Sequence, residues 1–241
     1  MTAIRQTLCR NLRALGVEPG DILFIHSSFK SLGPISGGAG TVVRALEDAV
    51  GPDGLVLMPS FHLVPKDKEQ RAANWDRATT PSTVGWLSEY FRRMPGTVRS
   101  DHYSHSVAAR GRRAADFTAG HLSAAGFPSP WDRAPWGKTY GFNSPMYRAY
   151  SAAGKLLMLG VDYETSTYAH LVETLYWQRR RGSDPQAPYS GLKRPALGAF
   201  WDETGILNRG VLGQADGRLF GIRPYVDALL NEVDRNPDPY L

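Results

Sequence analysis

The amino-acid sequence predicts a single α/β domain with a central mixed, mostly parallel sheet flanked by helices. Two buried strands, at residues 22–25 and 55–58, enclose a helical segment, and such a unit implies parallel pairing with a right-handed crossover. The 241 residues suit one large domain, and an apolar content of 42% is enough for a substantial core. No repeat, low-complexity segment or linker divides the chain, so we expect residues 1–241 to form one domain.

The N-terminal region alternates helices and strands. A helix is predicted over residues 4–15 because apolar residues recur there every three or four positions, and Gly16 ends it. The first strand then leads into a loop with four glycines. Thr41 is expected to cap the next helix, which runs to Val50 and precedes the second strand.

The rest of the chain continues this alternation around two polar segments. Residues 62–81 are charged and irregular, and their length predicts a functional loop. Residues 98–109 hold two of the six histidines and are interpreted as a polar loop. Further helices are predicted at residues 84–93 (with Trp86, Leu87, Tyr90 and Phe91 buried), 114–122, 145–150, 168–177 and 223–233, and further strands at residues 155–161 and around residues 199–201.

Composition and charge limit the classes of function. The net charge of +5 and the pI near 9.4 favour anionic ligands, but no basic stripe with interleaved aromatic residues indicates nucleic-acid binding. No run approaches the roughly 18 apolar residues of a membrane helix, and the N-terminus lacks the apolar segment of a secretory signal. We therefore expect a cytoplasmic protein without a membrane or nucleic-acid partner. The single cysteine, Cys9, is expected to be a buried structural thiol.

Residues 21–41, DILFIHSSFKSLGPISGGAGT, read as a strand, a polar glycine loop and a helix start. Glycine lets backbone N–H groups approach a ligand closely, and a helix N-terminus favours anions. The segment therefore predicts a phosphate-bearing cofactor. It lacks the G-K-[ST] ending of a P-loop, and the chain has no G-x-S-x-G motif, so neither nucleoside triphosphate chemistry nor a serine nucleophile is expected.

His170 and Glu173 share one face of a predicted helix. A neutral imidazole can act as a general base, and a carboxylate one turn away can orient it or stabilise its charged form. The pair suits an amine that loses its proton while attacking a carbonyl, although a surface ion pair is the more frequent reason for H-x-x-E. Two ligands without H-E-x-x-H or paired cysteines do not predict a metal site.

Three segments of the chain together form a specific pattern. They are HSSFKSLGPISGGAGTVVRALEDAVGPDGLVLMPSF, TPSTVGWLSEYFRRMPGTVRSDHYSHSVAARG and LLMLGVDYETSTYAHLVET, and the later WDE and GQADGRLF extend the pattern over nearly the whole chain. The pattern resembles the aminoglycoside 3-N-acetyltransferase family of acetyl-CoA-dependent enzymes. This resemblance implies an α/β domain distinct from the commoner N-acetyltransferase superfamily, and direct acetyl transfer from CoA to an amine.

The resemblance also implies roles for individual residues. His170 matches the family's general base and Glu173 its acidic partner. The implied acetyl-CoA side comprises His26, Ser27, Ser28, Lys30, Ser31, Gly33, Gly37, Gly38 and Thr41, together with Ser104 and Ser106. The implied acceptor side comprises Asp76, His102 and Thr167. Structural explanations stay open for many of them, such as turn formation for the glycines, solvation for Asp76 and buried hydrogen bonding for His102.

The chain departs from the family pattern on the acceptor side. It has His102-Tyr103 where the family usually has His-Pro, and its segment between Phe61 and Pro81 is shorter than is common. Aminoglycosides are polycations and favour an acidic cleft, whereas this chain is basic overall. The acceptor is therefore left open between an aminoglycoside, another amino sugar and another biosynthetic amine. A non-catalytic CoA or small-molecule binding protein with the same fold is the alternative. The oligomeric state is left open, with a homodimer considered.

Overall fold

The computed structural model, which describes residues 2–122 and 125–241, is built on a seven-stranded mixed sheet. The strands are β1 Ile22–Ser27, β2 Leu55–Pro59, β3 Val98–Arg99, β4 Val107–Gly111, β5 Lys155–Leu159, β6 Asn208–Leu212 and β7 Ala215–Gly221. Their spatial order is β3-β4-β2-β1-β5-β7-β6. The central strands β2, β1 and β5 are parallel, whereas β4 and β7 pair antiparallel with β2 and β5. The predicted fold class is confirmed.

Helices cover both faces of the sheet. They are α1 Ala3–Leu15, α2 Gly38–Val50, α3 Lys68–Ala73, α4 Trp86–Arg93, α5 Ala114–Thr118, α6 Pro145–Ser151, α7 Thr167–Ser183, α8 Arg194–Thr204 and α9 Ile222–Arg235. Successive side chains of a strand point to opposite faces, so Leu23 and Ile25 pack with α1, α2 and α4, while Phe24 packs with α5 to α9. In the two described ranges no helix is long and apolar enough to cross a membrane.

Several predicted elements are reproduced with shifted boundaries. Gly16, at φ 110°, ends α1 in the left-handed conformation that glycine tolerates, and Cys9 is buried as expected. The helix predicted to start at Thr41 starts at Gly38 instead, with Gly37 at its N-cap. Thr41 is therefore not the cap. Its hydroxyl occupies the space that a Cβ on Gly37 would need, which explains a glycine at that position.

Other predictions are wrong, for identifiable reasons. The strand expected around residues 199–201 is part of α8. Trp201 is fully buried on one face of this helix, where it packs against Phe220 of β7 and Tyr225 of α9. Trp86 was expected in the core but is 60% exposed, because α4 directs Leu87 and Phe91 inward. The segment interpreted as a polar loop contains β3 and β4, which pair with each other at one edge of the sheet.

Candidate active site

A cavity of about 320 Å³ lies beyond the carboxyl ends of the three parallel strands. His26 and Ser27 line it from the end of β1, Pro59 from the end of β2, and Thr165 from the turn after β5. Open α/β sheets form their binding sites at this edge. A larger groove of about 880 Å³ lies beside β3 and contains four arginines, but His170 lines the smaller cavity.

His170 and Glu173 form a tight pair on the first turns of α7. Nδ1 of His170 lies 2.6 Å from Oε2 of Glu173, whose side chain is only 2% exposed. An ionised carboxylate can only accept hydrogen bonds, so Nδ1 carries the hydrogen and the lone pair belongs to Nε2. The ring also lines the cavity. This arrangement presents a basic nitrogen to a bound ligand.

Two further donors hold the carboxylate of Glu173. The Tyr189 hydroxyl donates to Oε2 at 2.6 Å, and the backbone N–H of Leu192 donates to Oε1 at 3.1 Å. Burial by itself raises the pKa of Glu173, but the hydrogen bonds from His170, Tyr189 and Leu192 outweigh it and hold that pKa below its ordinary value. Glu173 is thus an ionised, fixed partner for the imidazole.

Arg194 and Trp131 complete the surroundings of His170. Nη2 of Arg194 donates to Nε2 of His170 at 3.0 Å and lies 3.4 Å from Nδ1, while Nη1 donates to the Glu164 carbonyl at 2.7 Å. The Trp131 ring lies edge to face with the imidazole, with 4.7 Å between the ring centroids. Neither residue is predicted from the sequence, because no local motif marks a contact made across 24 or more positions.

His26 connects β1 to the start of α7. Its Nε2 accepts the backbone N–H of Thr167 at 3.3 Å, and the residue is 5% exposed. Burial, with a smaller contribution from the charge of His170, lowers the pKa of His26 to about 3. His26 is therefore neutral at physiological pH, and both His26 and Thr167 line the cavity, as the predicted cofactor and acceptor roles require.

The segment 100–106 forms a buried framework next to the pair. Nδ1 of His102 accepts the backbone N–H groups of Ser104 and His105, at 3.3 and 3.0 Å. The Ser104 hydroxyl bonds to Nδ1 of His105, and that of Ser106 donates to the Ser60 carbonyl. Burial holds the pKa values of His102 and His105 well below the ordinary range. The ligand contacts predicted for His102, Ser104 and Ser106 stay predictions.

The glycine segment divides between the cavity and the surrounding surface. Ser31 lines an open cleft of about 580 Å³ that shares Val161 and Thr165 with the cavity. The N–H of Ser28 bonds to the Leu159 carbonyl, and the Ser28 carbonyl accepts the Ser31 hydroxyl. The predicted cofactor residues of this segment that line neither space are Ser28, Lys30, Gly33, Gly37, Gly38 and Thr41. Their contact with a cofactor stays a prediction.

Asp76 lies outside the cavity in an exposed turn. Its carboxylate accepts the backbone N–H groups of Thr79 and Ala78, and these bonds, led by that of Thr79, lower the pKa of Asp76. A capping role explains these contacts, and the predicted acceptor contact stays a prediction. In the described ranges, no group of three or more His, Cys, Asp or Glu residues is placed to hold a metal ion.

The fold and the site together define an α/β protein whose cavity is lined by a histidine that is hydrogen-bonded to a buried carboxylate. Comparison with known proteins identifies the family. A family model described as aminoglycoside 3-N-acetyltransferase matches residues 24–232. The chain is 30% identical to aminoglycoside N(3)-acetyltransferase VII of Streptomyces paromomycinus, over 92% of this chain and 88% of the relative, and 31% identical to aminoglycoside N(3)-acetyltransferase IV of Salmonella sp., over 95% and 87%.

Solved structures agree with this result. The apoenzyme of aminoglycoside acetyltransferase AAC(3)-IVa superimposes with a TM-score of 0.80 and 28% identity, covering 98% of this chain and 91% of that one. The binary complex of AAC-IIIb with CoASH superimposes with a TM-score of 0.77 and 26% identity, covering 96% of each chain. The chain belongs to the aminoglycoside 3-N-acetyltransferase family, as its sequence motifs predicted.

Proposed function

We propose that this protein transfers an acetyl group from acetyl-CoA directly to an amine of an aminoglycoside or a related amino sugar, with His170 as the general base and Glu173 as its orienting carboxylate. The observation that carries the proposal is the 2.6 Å hydrogen bond from Nδ1 of His170 to Glu173. The imidazole ring that makes this bond also lines the cavity. This bond leaves Nε2 as the proton acceptor.

The shape of the site supports two substrates that meet at His170. The cavity has apolar walls at Phe61, Leu63 and Val84, which suit the pantetheine arm of a CoA thioester, and it continues at Val161 and Thr165 into the open cleft. Relatives of known structure bind CoASH in one case and apramycin in another. A site open to both molecules at once permits direct transfer without an acyl-enzyme.

The reaction follows from the geometry of His170. The acceptor amine donates a hydrogen bond to Nε2, and its nitrogen attacks the thioester carbonyl carbon while Nε2 takes the proton. The carbon–sulfur bond then breaks, and the proton passes from His170 to the departing thiolate. The products are the N-acetylated amine and CoA with a free thiol. Glu173, held by Tyr189 and Leu192, stabilises the imidazolium that forms between the two proton transfers.

The test is release of CoA thiol when acetyl-CoA is mixed with a panel of amines that includes aminoglycosides and anionic amino sugars. We expect release with at least one amine, and we expect His170→Ala to lower kcat by about 10²- to 10⁴-fold while CoA binding persists. His62→Ala is the matched control, because that histidine bonds to the Pro81 carbonyl and does not line the cavity. Normal turnover by His170→Ala would remove His170 from the mechanism.

The alternative function, a non-catalytic CoA-binding protein, gives a different result in the same assay. Such a protein would bind CoA and release no thiol with any amine. Glu173 accepts hydrogen bonds from His170, Tyr189 and Leu192, which favours the enzyme. A binding protein has no need of a base whose carboxylate partner is held by three hydrogen bonds.

A further inference from the structure

Arg194 is the cationic side chain that contacts the base. Its guanidinium donates to Nε2 of His170 at 3.0 Å and to the Glu164 carbonyl at 2.7 Å, and its Nε lies 3.8 Å from Oε1 of Glu173. The side chain is 24% exposed and lines the cavity. The Glu164 carbonyl holds one arm of the planar fork, which leaves the other arm directed at the reacting region.

The position of Nη2 relative to the imidazole matters for the chemistry. Nη2 lies 3.0 and 3.4 Å from the two ring nitrogens, and the lone-pair directions of these nitrogens diverge. A single atom so close to both cannot lie along either direction, so the hydrogen bond from Nη2 to Nε2 is off the lone-pair axis and leaves room there for a second donor. An amine that donates to Nε2 sits about 3 Å from that nitrogen. The carbonyl oxygen that becomes charged during the attack is therefore within reach of Nη2.

Three backbone donors at this edge of the sheet are already used. The N–H of Thr167 donates to His26, that of Ser28 to the Leu159 carbonyl, and that of Leu63 to the Thr83 hydroxyl. Acyl transfer requires donors aimed at the position where the oxyanion forms. Arg194 supplies a charged donor there, and charge-assisted hydrogen bonds are about twice as strong as neutral ones.

Building on the proposed acetyl transfer, we infer that Arg194 is a catalytic residue that stabilises the oxyanion of the tetrahedral intermediate by donating a hydrogen bond from Nη2. As the amine nitrogen bonds to the thioester carbon, the carbonyl electron pair moves to oxygen and the amine proton moves to Nε2 of His170. Nε2 then no longer accepts a hydrogen bond. Nη2 loses its acceptor on the imidazole at the same step in which the oxygen gains its charge, and it transfers its hydrogen bond to that oxygen.

Glu173 makes this exchange electrostatically feasible. Its carboxylate lies beside both the imidazolium and the guanidinium, 2.6 Å from Nδ1 of His170 and 3.8 Å from Nε of Arg194. Together with the oxyanion it balances the two cations. When the intermediate collapses, the carbonyl re-forms, CoA leaves as the thiolate and takes the proton from His170, and Nη2 returns to the neutral imidazole.

The experiment compares Arg194→Gln, Arg194→Lys and Arg194→Ala with the wild-type enzyme, using the amine that gives the fastest thiol release. We expect Arg194→Gln to lower kcat by about 10²- to 10³-fold, as loss of one oxyanion donor does elsewhere, with the KM of the amine and the affinity for CoA nearly unchanged. Arg194→Lys should be intermediate, because it keeps the charge and loses the fork. Added guanidinium should restore part of the activity of Arg194→Ala.

A pH profile separates this role from an indirect one. The titratable and charged groups that face His170 include Glu173 on α7, Arg194 on α8, His26 on β1, His105 before β4 and Tyr140 before α6. A direct oxyanion donor sets the plateau of the kcat profile, wherever the acidic limb lies. A displaced limb with a wild-type plateau and no guanidinium rescue would show that Arg194 acts only through the protonation of His170, and would overturn the inference.

Two further results keep the outcomes distinct. Arg209→Gln is the control for charge, because Arg209 pairs with Asp202 outside the cavity, and it should leave kcat unchanged. Wild-type kcat in a folded Arg194→Gln variant would refute the role of Arg194 while the proposed acetyl transfer stands. Absence of thiol release by the wild-type enzyme with every amine would instead refute the proposed function itself.

Discussion

Replacing Glu173 by glutamine tests how the general base is oriented. The carboxylate accepts from Nδ1 of His170 and the Tyr189 hydroxyl at Oε2, and from the Leu192 N–H at Oε1. Glutamine has the same shape but presents one oxygen and one NH₂ group. Either its NH₂ faces Leu192, which sets two donors against each other, or it faces His170, which forces the hydrogen of the imidazole from Nδ1 to Nε2.

The magnitude of the effect follows from these two orientations. An NH₂ facing Leu192 keeps the tautomer but leaves a buried donor unsatisfied, at a cost of about 1–3 kcal/mol in the free energy of unfolding. Replacing the charged acceptor by a neutral one also removes about 1–2 kcal/mol from the stabilised imidazolium, or roughly 5- to 30-fold in rate. An NH₂ facing His170 removes the base, which is worth about 10²- to 10⁴-fold.

We therefore expect Glu173→Gln to lower kcat by about 10²-fold, less than His170→Ala, with CoA binding retained. The assay is thiol release at saturating acetyl-CoA and amine, combined with urea unfolding of the same protein. Tyr189→Phe is the matched comparison, since it removes one donor to Glu173 and leaves the charge in place. Wild-type kcat together with wild-type stability in Glu173→Gln would refute the assigned role of the carboxylate.

Two remaining predictions concern stability. Four buried histidines have lowered pKa values, of about 3 for His26, about 4 for His121 and well below 6.5 for His102 and His105. Below pH 6.5 the unfolded chain binds protons that the folded chain does not, so the free energy of unfolding should fall by up to about 1.4 kcal/mol per pH unit for each histidine between pH 6.5 and 4. Urea unfolding at several pH values checks this, and a flat profile would contradict it. Gly160→Ala should destabilise the fold more than Gly205→Ala, because both glycines have positive φ but only at Gly160 would the new Cβ come within 2.6 Å of Ser31 Cβ. Equal urea midpoints would show that the turn at Ser31 moves aside without lowering the free energy of unfolding.

The sequence is informative where chemistry and local structure coincide. The spacing of His170 and Glu173 placed both on one helix face, and the structure joins them directly. Apolar runs located the three parallel strands, whose carboxyl ends then set the position of the cavity. The hairpin of β6 and β7 is not predicted, because its strands carry glycines and exposed charges; β7 is stabilised by pairing with β5, and β6 by pairing with β7.

By itself, the sequence determined the family, the α/β fold class and the histidine–glutamate pair, because each depends on residue types at short, fixed spacings. Only the tertiary structure decided what surrounds that pair. Tyr189, Leu192 and Arg194 reach it from 16 to 24 positions further along the chain, in a segment without a motif. The segment that connects α7 to the start of α8 folds back against α7 and places these residues beside the pair. Contacts made by such a connection leave no periodicity in the sequence.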